Sequence, residues 1–480
     1  MFQLLGVDKE IADSYAVQIF ELEKQFAKHH LSKVELRNPD LVYHKLNSTE
    51  LQALTPFLKW DNAVNYDFPE NADFIVDNPD YLLEVSLMLN NIPLDIWRVY
   101  YQWRVLTDWA PYLSTAFDQE DFDFFGRKLS GQLEQKPRWK RMIECVNSFL
   151  GEALSQLYVK KHFSERNKNE MLQLVNNLLC STKDRILELK WMSEPTKLKA
   201  LEKLNAIGVK IGYPDKWIDY SRLVHNPKAT FLEQILNCVA FKVARDRSKW
   251  YKPVDRSEWF MTAQTINAYY SPEFNEIVFP AAILQKPFFF ASDSDVVGKD
   301  GEDRTAENYG SIGAIIGHEI THGFDDSGRK YDFHGNLTDW WSADDVTKFT
   351  EITQKLVLQY NQCLVHDQHV NGELTLGENI ADNAGLVMAI KAYHLSLEGK
   401  PAPVIDGYSA EQRLFFGLAQ ARRFKARESR AIMLVKTDPH SPGEFRVNGS
   451  LRNTPEFYSA FDVKPGDNMY LPPEQRVKLW

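Results

Sequence analysis

"AIIGHEITHGFDD" occupies residues 314–326, and its reading decides the rest of the chain. Its apolar residues suit a buried helix. His318 and His322 stand four positions apart, which separates them by only about 40° around a helix of 3.6 residues per turn. Both imidazoles therefore face one way and can grip a single cation. Glu319 lies beside the first of them, within reach of a water held at that cation. A catalytic zinc ion takes three protein ligands and keeps one position open, so a third ligand has to come from elsewhere.

"LTLGENIADNAGL", residues 374–386, supplies it. Gly377 precedes an expected helix start at Glu378, and Glu378 and Asp382 share one helical face. Glu378 can then ligate the ion directly. Asp382, one turn on, accepts the free N–H of a zinc histidine and so sets its tautomer and ring orientation. Asp325, about one turn after His322, is placed to do the same. Alone, Glu378 and Asp382 would be an acidic pair favoured at a helix N-terminus by the macrodipole. Beside H-E-x-x-H the ligand reading prevails. His29, His30, His44 and His334 show no ligand spacing.

Upstream, residues 1 to about 210 read as helix after helix. "ADSYAVQIFELEKQFAKHHL", "PLDIWRVYYQWRVLTDWAPYL", "WKRMIECVNSFLGEALSQLYVKKHF" and "NKNEMLQLVNNLLCSTKDRILELKWM" carry apolar residues at helical spacing. Their Trp, Tyr and Leu stripes are read as packing cores. "KIGYPDKWIDYS" reads as a turn-rich break. "TINAYYSPEFNEIVFPAAIL" reads as strand, turn and strand, because β-formers flank "SPEFN". "ASDSDVVGKDGEDR" resembles a calcium loop superficially, but Val297 and Arg304 stand where oxygen ligands belong, so it is read as a solvated loop.

With 480 residues, the chain is long enough for two domains. A net charge of −10, with no basic run interleaved with aromatics, argues against nucleic acid as the main partner. The four cysteines are scattered and form no disulfide framework, and the N-terminus lacks a basic-then-apolar leader. No apolar stretch approaches the roughly 20 residues that span a bilayer. These features set the expectation of a reducing, cytoplasmic setting without a membrane partner. Oligomeric state is not legible.

Several long motifs then stand in one order: "NAYYSPEFNEIVFPAAILQKPFF", "YGSIGAIIGHEITHGFDDSGRKYDFHGNLTDWW", "GENIADNAGL", "HSPGEFRVNG" and a terminal "VKLW". "TKLKALEKLNAIGVKIGYPDKW" precedes them. In this the chain resembles the neprilysin-like zinc metallopeptidases, and looks closest to their bacterial oligopeptidase branch. The resemblance implies a mainly α, α+β fold of two lobes. An all-helical lobe over residues 1–235 would cover the cavity, and a thermolysin-like zincin lobe with a small sheet would span 236–480.

It also implies one Zn2+ per chain on His318, His322 and Glu378, with Glu319 as general base and Asp382 supporting catalysis. His440 would donate to the developing oxyanion. Asn267 and Ala268 would pair with the substrate backbone, and Arg446 would hold a substrate carbonyl. Oligopeptides are the substrates implied, with a hydrophobic residue preferred just after the scissile bond. Members of that family open with a segment resembling "YxxVNGxW", which is not found here. The reading is therefore of a chain N-terminally shortened by roughly a fifth of the usual length. A zinc-retaining but inactive peptide-binding protein is the alternative that this shortening raises.

Overall fold

The computed structural model describes residues 1–60, 68, 72–291 and 303–480. Most of the acidic loop read as solvated, residues 292–302, lies outside the described residues. The fold is mainly helical with small sheets, in two compact units.

One unit comprises residues 1–135 and 228–235. Its helices include α1 (Lys9–Ala27), α2 (Pro79–Asn91) and α3 (Leu94–Trp109). Asn78 starts α2 by accepting from the Tyr81 N–H, with Pro79 in the first turn, where a missing N–H costs nothing. The apolar spacing of the three helices brings Leu22 and Phe26 of α1 onto Met88 of α2 and Trp97 of α3. Strands β1 (His44–Asn47) and β2 (Asp73–Val76) form an antiparallel pair in the same unit.

The other unit comprises residues 136–227 and 236–480. It opens with α4 (Arg138–His162), α5 (Glu165–Glu188) and α6 (Glu194–Asn205). A three-stranded sheet follows in the order β3 (Gly208–Gly212), β5 (Glu276–Pro280), β4 (Tyr269–Ser271). β5 is buried along its whole length. Ile277, Val278 and Phe279 are each 0% exposed, which is worth about 1.5–3 kcal/mol for every such side chain. β4 pairs antiparallel to β5 and is an outer strand of the sheet.

A domain boundary at residue 235 does not match this division. The segment 136–227 packs with residues 236–480 instead, for two nonlocal reasons. β3, which runs into the start of the stretch read as a turn-rich break, pairs parallel to β5 with Val209 opposite Ile277. α5 packs on the helix that carries Glu378, where the Ser181 hydroxyl donates to the Met388 carbonyl at 2.8 Å. The expected strand–turn–strand at residues 269–280 is present. No helix among the described residues is long and apolar enough to cross a membrane.

Candidate metal centre

Four more helices build the site: α7 (Ala314–His322), α9 (Leu376–Ser396) and α11 (Gly443–Asn453), with α8 (Ala343–Asn361) packed behind α9. α7 and α9 cross backbone on backbone. A Cβ at Gly317 would lie 2.7 Å from the Gly385 carbonyl oxygen, and one at Gly385 would lie 2.5 Å from the His318 nitrogen. Glycine at both positions is thus what lets the two ligand helices touch. Gly385→Ala is expected to force them apart and destabilise the chain by about 1–3 kcal/mol. Urea denaturation together with zinc competition against a chelating dye measures both consequences, and an unchanged midpoint with unchanged zinc affinity would contradict this packing.

The crossing brings three donors together. His318 Nε2 lies 3.0 Å from His322 Nε2 and 3.1 Å from Glu378 Oε2, and His322 Nε2 lies 3.7 Å from that same oxygen. Zinc bonds of about 2.0–2.1 Å in tetrahedral geometry require donor separations of roughly 3.3 Å, so the set fits the ion. Two further observations agree. Glu378 Oε2 is buried and makes no well-aligned hydrogen bond, although the His318 and His440 Nε2 atoms each lie 3.1 Å away. The opposite nitrogens of both rings face carboxylates: His322 Nδ1 is bonded to Asp325 Oδ2 at 2.7 Å, and His318 Nδ1 lies 2.9 Å from Asp382 Oδ1. A proton held at each Nδ1 leaves each Nε2 lone pair directed at the shared centre.

Asp325 is itself fixed, because its Oδ1 accepts from the backbone N–H groups of Ser327 and Gly328 at 2.9 and 2.6 Å. Gly328 is required there, since a Cβ would overlap the His322 carbonyl oxygen at 1.7 Å. Beneath this turn, the buried Lys203 ammonium donates to the Gly328 and Tyr331 carbonyls at 2.8 and 2.6 Å. The rings of Tyr270, Phe324 and Trp340 surround it. Burial pulls its pKa down to about 7 against the opposing pull of Asp325 and Asp332.

The electrostatics follow from the same geometry. Burial disfavours charge on His322, but the carboxylates of Glu378 and Asp325 outweigh it and raise its pKa well above the ordinary histidine value. Burial likewise opposes charge on Glu378, but His322, His318 and His440 hold its carboxyl well below the usual range. Asp382, also against its burial, is held far below that range by Arg446, then Arg422, then His318. Binding a dication here displaces protons from the ligands, so its affinity falls as pH falls.

The other expected residues have these places. Glu319 is buried on α7 and does not belong to the three-donor group. His440 is more open, with its side chain 43% exposed. Its Nε2 lies 3.1 Å from Glu378 Oε2 and its Nδ1 2.9 Å from Asp438 Oδ1. Arg446 enters as the partner of Asp382, donating from Nε at 2.6 Å and Nη2 at 2.8 Å. Asn267 is exposed at the approach to β4, while the Ala268 methyl is in the core. Neither belongs to the three-donor group, and the adjoining β4 packs against α7.

Four residues escaped the sequence reading. Asp438 stands two positions before His440, a spacing that already suggests a local side-chain bond. Lys203 and Arg422 carry no such signal, because their importance lies in being buried. Ser441 donates to Asn379 at 2.7 Å and ties the His440 loop to α9 beside Glu378.

Comparison with known proteins identifies the family. Family models described as peptidase family M13 match residues 1–214 and 267–477. The chain is 34% identical to endothelin-converting enzyme 1 of Mus musculus, covering 99% of itself and 62% of that protein. It is 34% identical to neprilysin of Oryctolagus cuniculus, covering 99% of itself and 65% of that protein. It thus spans less than two thirds of the length of those relatives. Among solved structures, the zinc metalloprotease ZMP1 of Mycobacterium tuberculosis in complex with inhibitor is 42% identical with a TM-score of 0.93, over 99% of this chain and 72% of that one. PepO from Lactobacillus rhamnosis is 28% identical with a TM-score of 0.88, over 100% of this chain and 73% of that one.

Proposed function

The chain belongs to peptidase family M13, and from that premise we propose that it is a zinc-dependent endopeptidase acting on oligopeptides. The observation that carries the reading is the convergence of His318 Nε2, His322 Nε2 and Glu378 Oε2, with Glu319 one residue from a ligand. His318, His322 and Glu378 hold the ion, and Asp382 and Asp325 orient the two imidazoles.

When bound, zinc supplies Lewis acidity, polarising the peptide carbonyl and making a water acidic at neutral pH. Glu319 takes the proton from the attacking water and passes it to the nitrogen of the leaving amine. His440 donates from Nε2 to the carbonyl oxygen as negative charge builds there. Burial opposes charge on the ring, while its bond with Asp438 and the nearby Glu378 carboxylate favour it and raise its pKa to about 9. Arg446, held by Asp382, offers one of its remaining N–H donors to a substrate carbonyl. The outer edge of β4, reached through Asn267 and Ala268, pairs with an extended peptide backbone.

The test is a digest of short peptides by the zinc-loaded chain, read by mass spectrometry alongside metal analysis. About one zinc per chain, cleavage abolished by chelation and restored by zinc, is the expected result. Peptide binding without any cleavage would support the non-catalytic alternative instead. His440→Ala is expected to lower kcat by about 10²–10³ with a small change in KM, because its bond to the oxygen strengthens in the transition state. A rise in KM at constant kcat would contradict that role.

A further inference from the structure

Arg422 follows α10 (Ala410–Ala421), and its backbone N–H closes the last turn on the Leu418 carbonyl. In sequence it belongs to "QARRFKAR", a basic run with the look of solvated surface. The fold turns its side chain inward instead. The side chain is 17% exposed, and Nη2 donates to Asp382 Oδ1 at 3.1 Å. Its backbone is fixed by close contact: a Cβ on Gly443, at the start of α11, would come within 2.5 Å of the Arg422 carbonyl oxygen. Since α11 also carries Arg446, two guanidinium groups converge on one carboxylate.

That arrangement leaves positive charge and donors unused. Arg446 takes Asp382 through two bonds, and Arg422 adds a single one. Among the described residues Asp382 is the only side-chain partner of Arg422, so Nε and Nη1 donate to none. The nearby carboxylates of Glu378 and Glu319 are committed, one to the ion and the other to the proton. Burial, then the charge of Arg446, pull the Arg422 pKa down to about 10 despite these anions. A guanidinium in this position lacks a full complement of negative charge.

We propose that Arg422 is a specificity-determining residue that binds a carboxylate of the peptide substrate close to the scissile bond, using the N–H donors that Asp382 leaves free. The inference rests on the peptidase reading and adds a preference to it: acidic peptides over neutral ones. Guanidinium suits this task because it stays charged when buried and its donors match carboxylate oxygens. The carboxylate has two sources, an Asp or Glu side chain or the free C-terminus of a short peptide.

Matched fluorogenic peptides test this with the zinc-loaded full chain. One series carries Glu or Gln at each position about two residues either side of the cleaved bond, and one pair differs only as C-terminal acid or amide. A charge-assisted bond of about 1.5–3 kcal/mol predicts at least about a tenfold higher kcat/KM for the carboxylate member at one position, expressed mainly in KM. The series in which it occurs identifies the source. In Arg422→Gln the ratio is expected to fall to about one, whatever happens to the absolute rates. Arg422→Lys should retain part of it, which a purely structural role would not produce. Binding of the same peptides to the Glu319→Gln chain reads the preference without turnover. Equal handling of both members by the unmodified chain, or a ratio that survives Arg422→Gln, overturns the inference. Failure to cleave any peptide counts against the peptidase reading instead, and the binding arm still decides the role of Arg422.

Discussion

Glu319→Gln is expected to lower kcat/KM for peptide cleavage by about 10²–10⁴ while the chain still binds one zinc with little change in affinity. The substitution keeps the shape of the side chain and removes its capacity to accept a proton. Glu319 does not belong to the donor group of His318, His322 and Glu378, so the ion keeps its three ligands. The expected signature is therefore a separation of two readouts: lost turnover with retained zinc and retained peptide binding. Steady-state kinetics beside metal analysis measures it. Comparable turnover from Glu319→Gln would remove Glu319 as the base. Loss of zinc together with turnover would mean that the residue acts on the ligand cage.

The second large effect concerns stability. Asp382→Ala is expected to destabilise the chain by about 3–5 kcal/mol at neutral pH, because it leaves buried cations without their anion. Arg446 loses two bonds and Arg422 loses its only side-chain partner among the described residues. His318 Nδ1 loses the oxygen 2.9 Å away, so zinc affinity should fall by about 10–100-fold as well. The pH dependence has a definite sign. The folded pKa of Asp382 lies far below the ordinary value, so its contribution is complete above about pH 4 and fades as pH falls towards the folded pKa. The gap between the unmodified chain and the variant should stay level from about pH 8 to 5 and narrow only in stronger acid. Urea titrations across that range would show a gap that widens on acidification if Asp382 were instead held protonated.

What the sequence reveals of this centre is what is local. His318 and His322 share a helical face, as do Glu378 and Asp382, and these patterns are legible at a spacing of one turn. The long helices are legible for the same reason. The crossing of α7 and α9 is not, because it depends on the Gly317 and Gly385 backbones meeting across some seventy residues of intervening chain, and a glycine in a helix announces no partner. The fold draws its division elsewhere than at residue 235 for a related reason. β3 is short, and only its parallel partner β5, far along the sequence, makes it a strand and draws the preceding helices into the second unit. Arg422 was overlooked because burial is a property of the fold: its neighbours in "QARRFKAR" look like any charged surface. Arg446 is a milder case. Its presence in the site was expected, but its bidentate hold on Asp382 appears only in three dimensions.

The central claim is that His318, His322 and Glu378 surround one zinc ion. Zinc K-edge X-ray absorption on the loaded chain tests it directly. Two imidazole nitrogens and carboxylate or water oxygens at about 2.0–2.2 Å, with the imidazole signal lost or halved in His322→Phe, is the spectrum this arrangement predicts. A sulfur shell at about 2.3 Å, or an imidazole count untouched by His322→Phe, would place the metal elsewhere and contradict it.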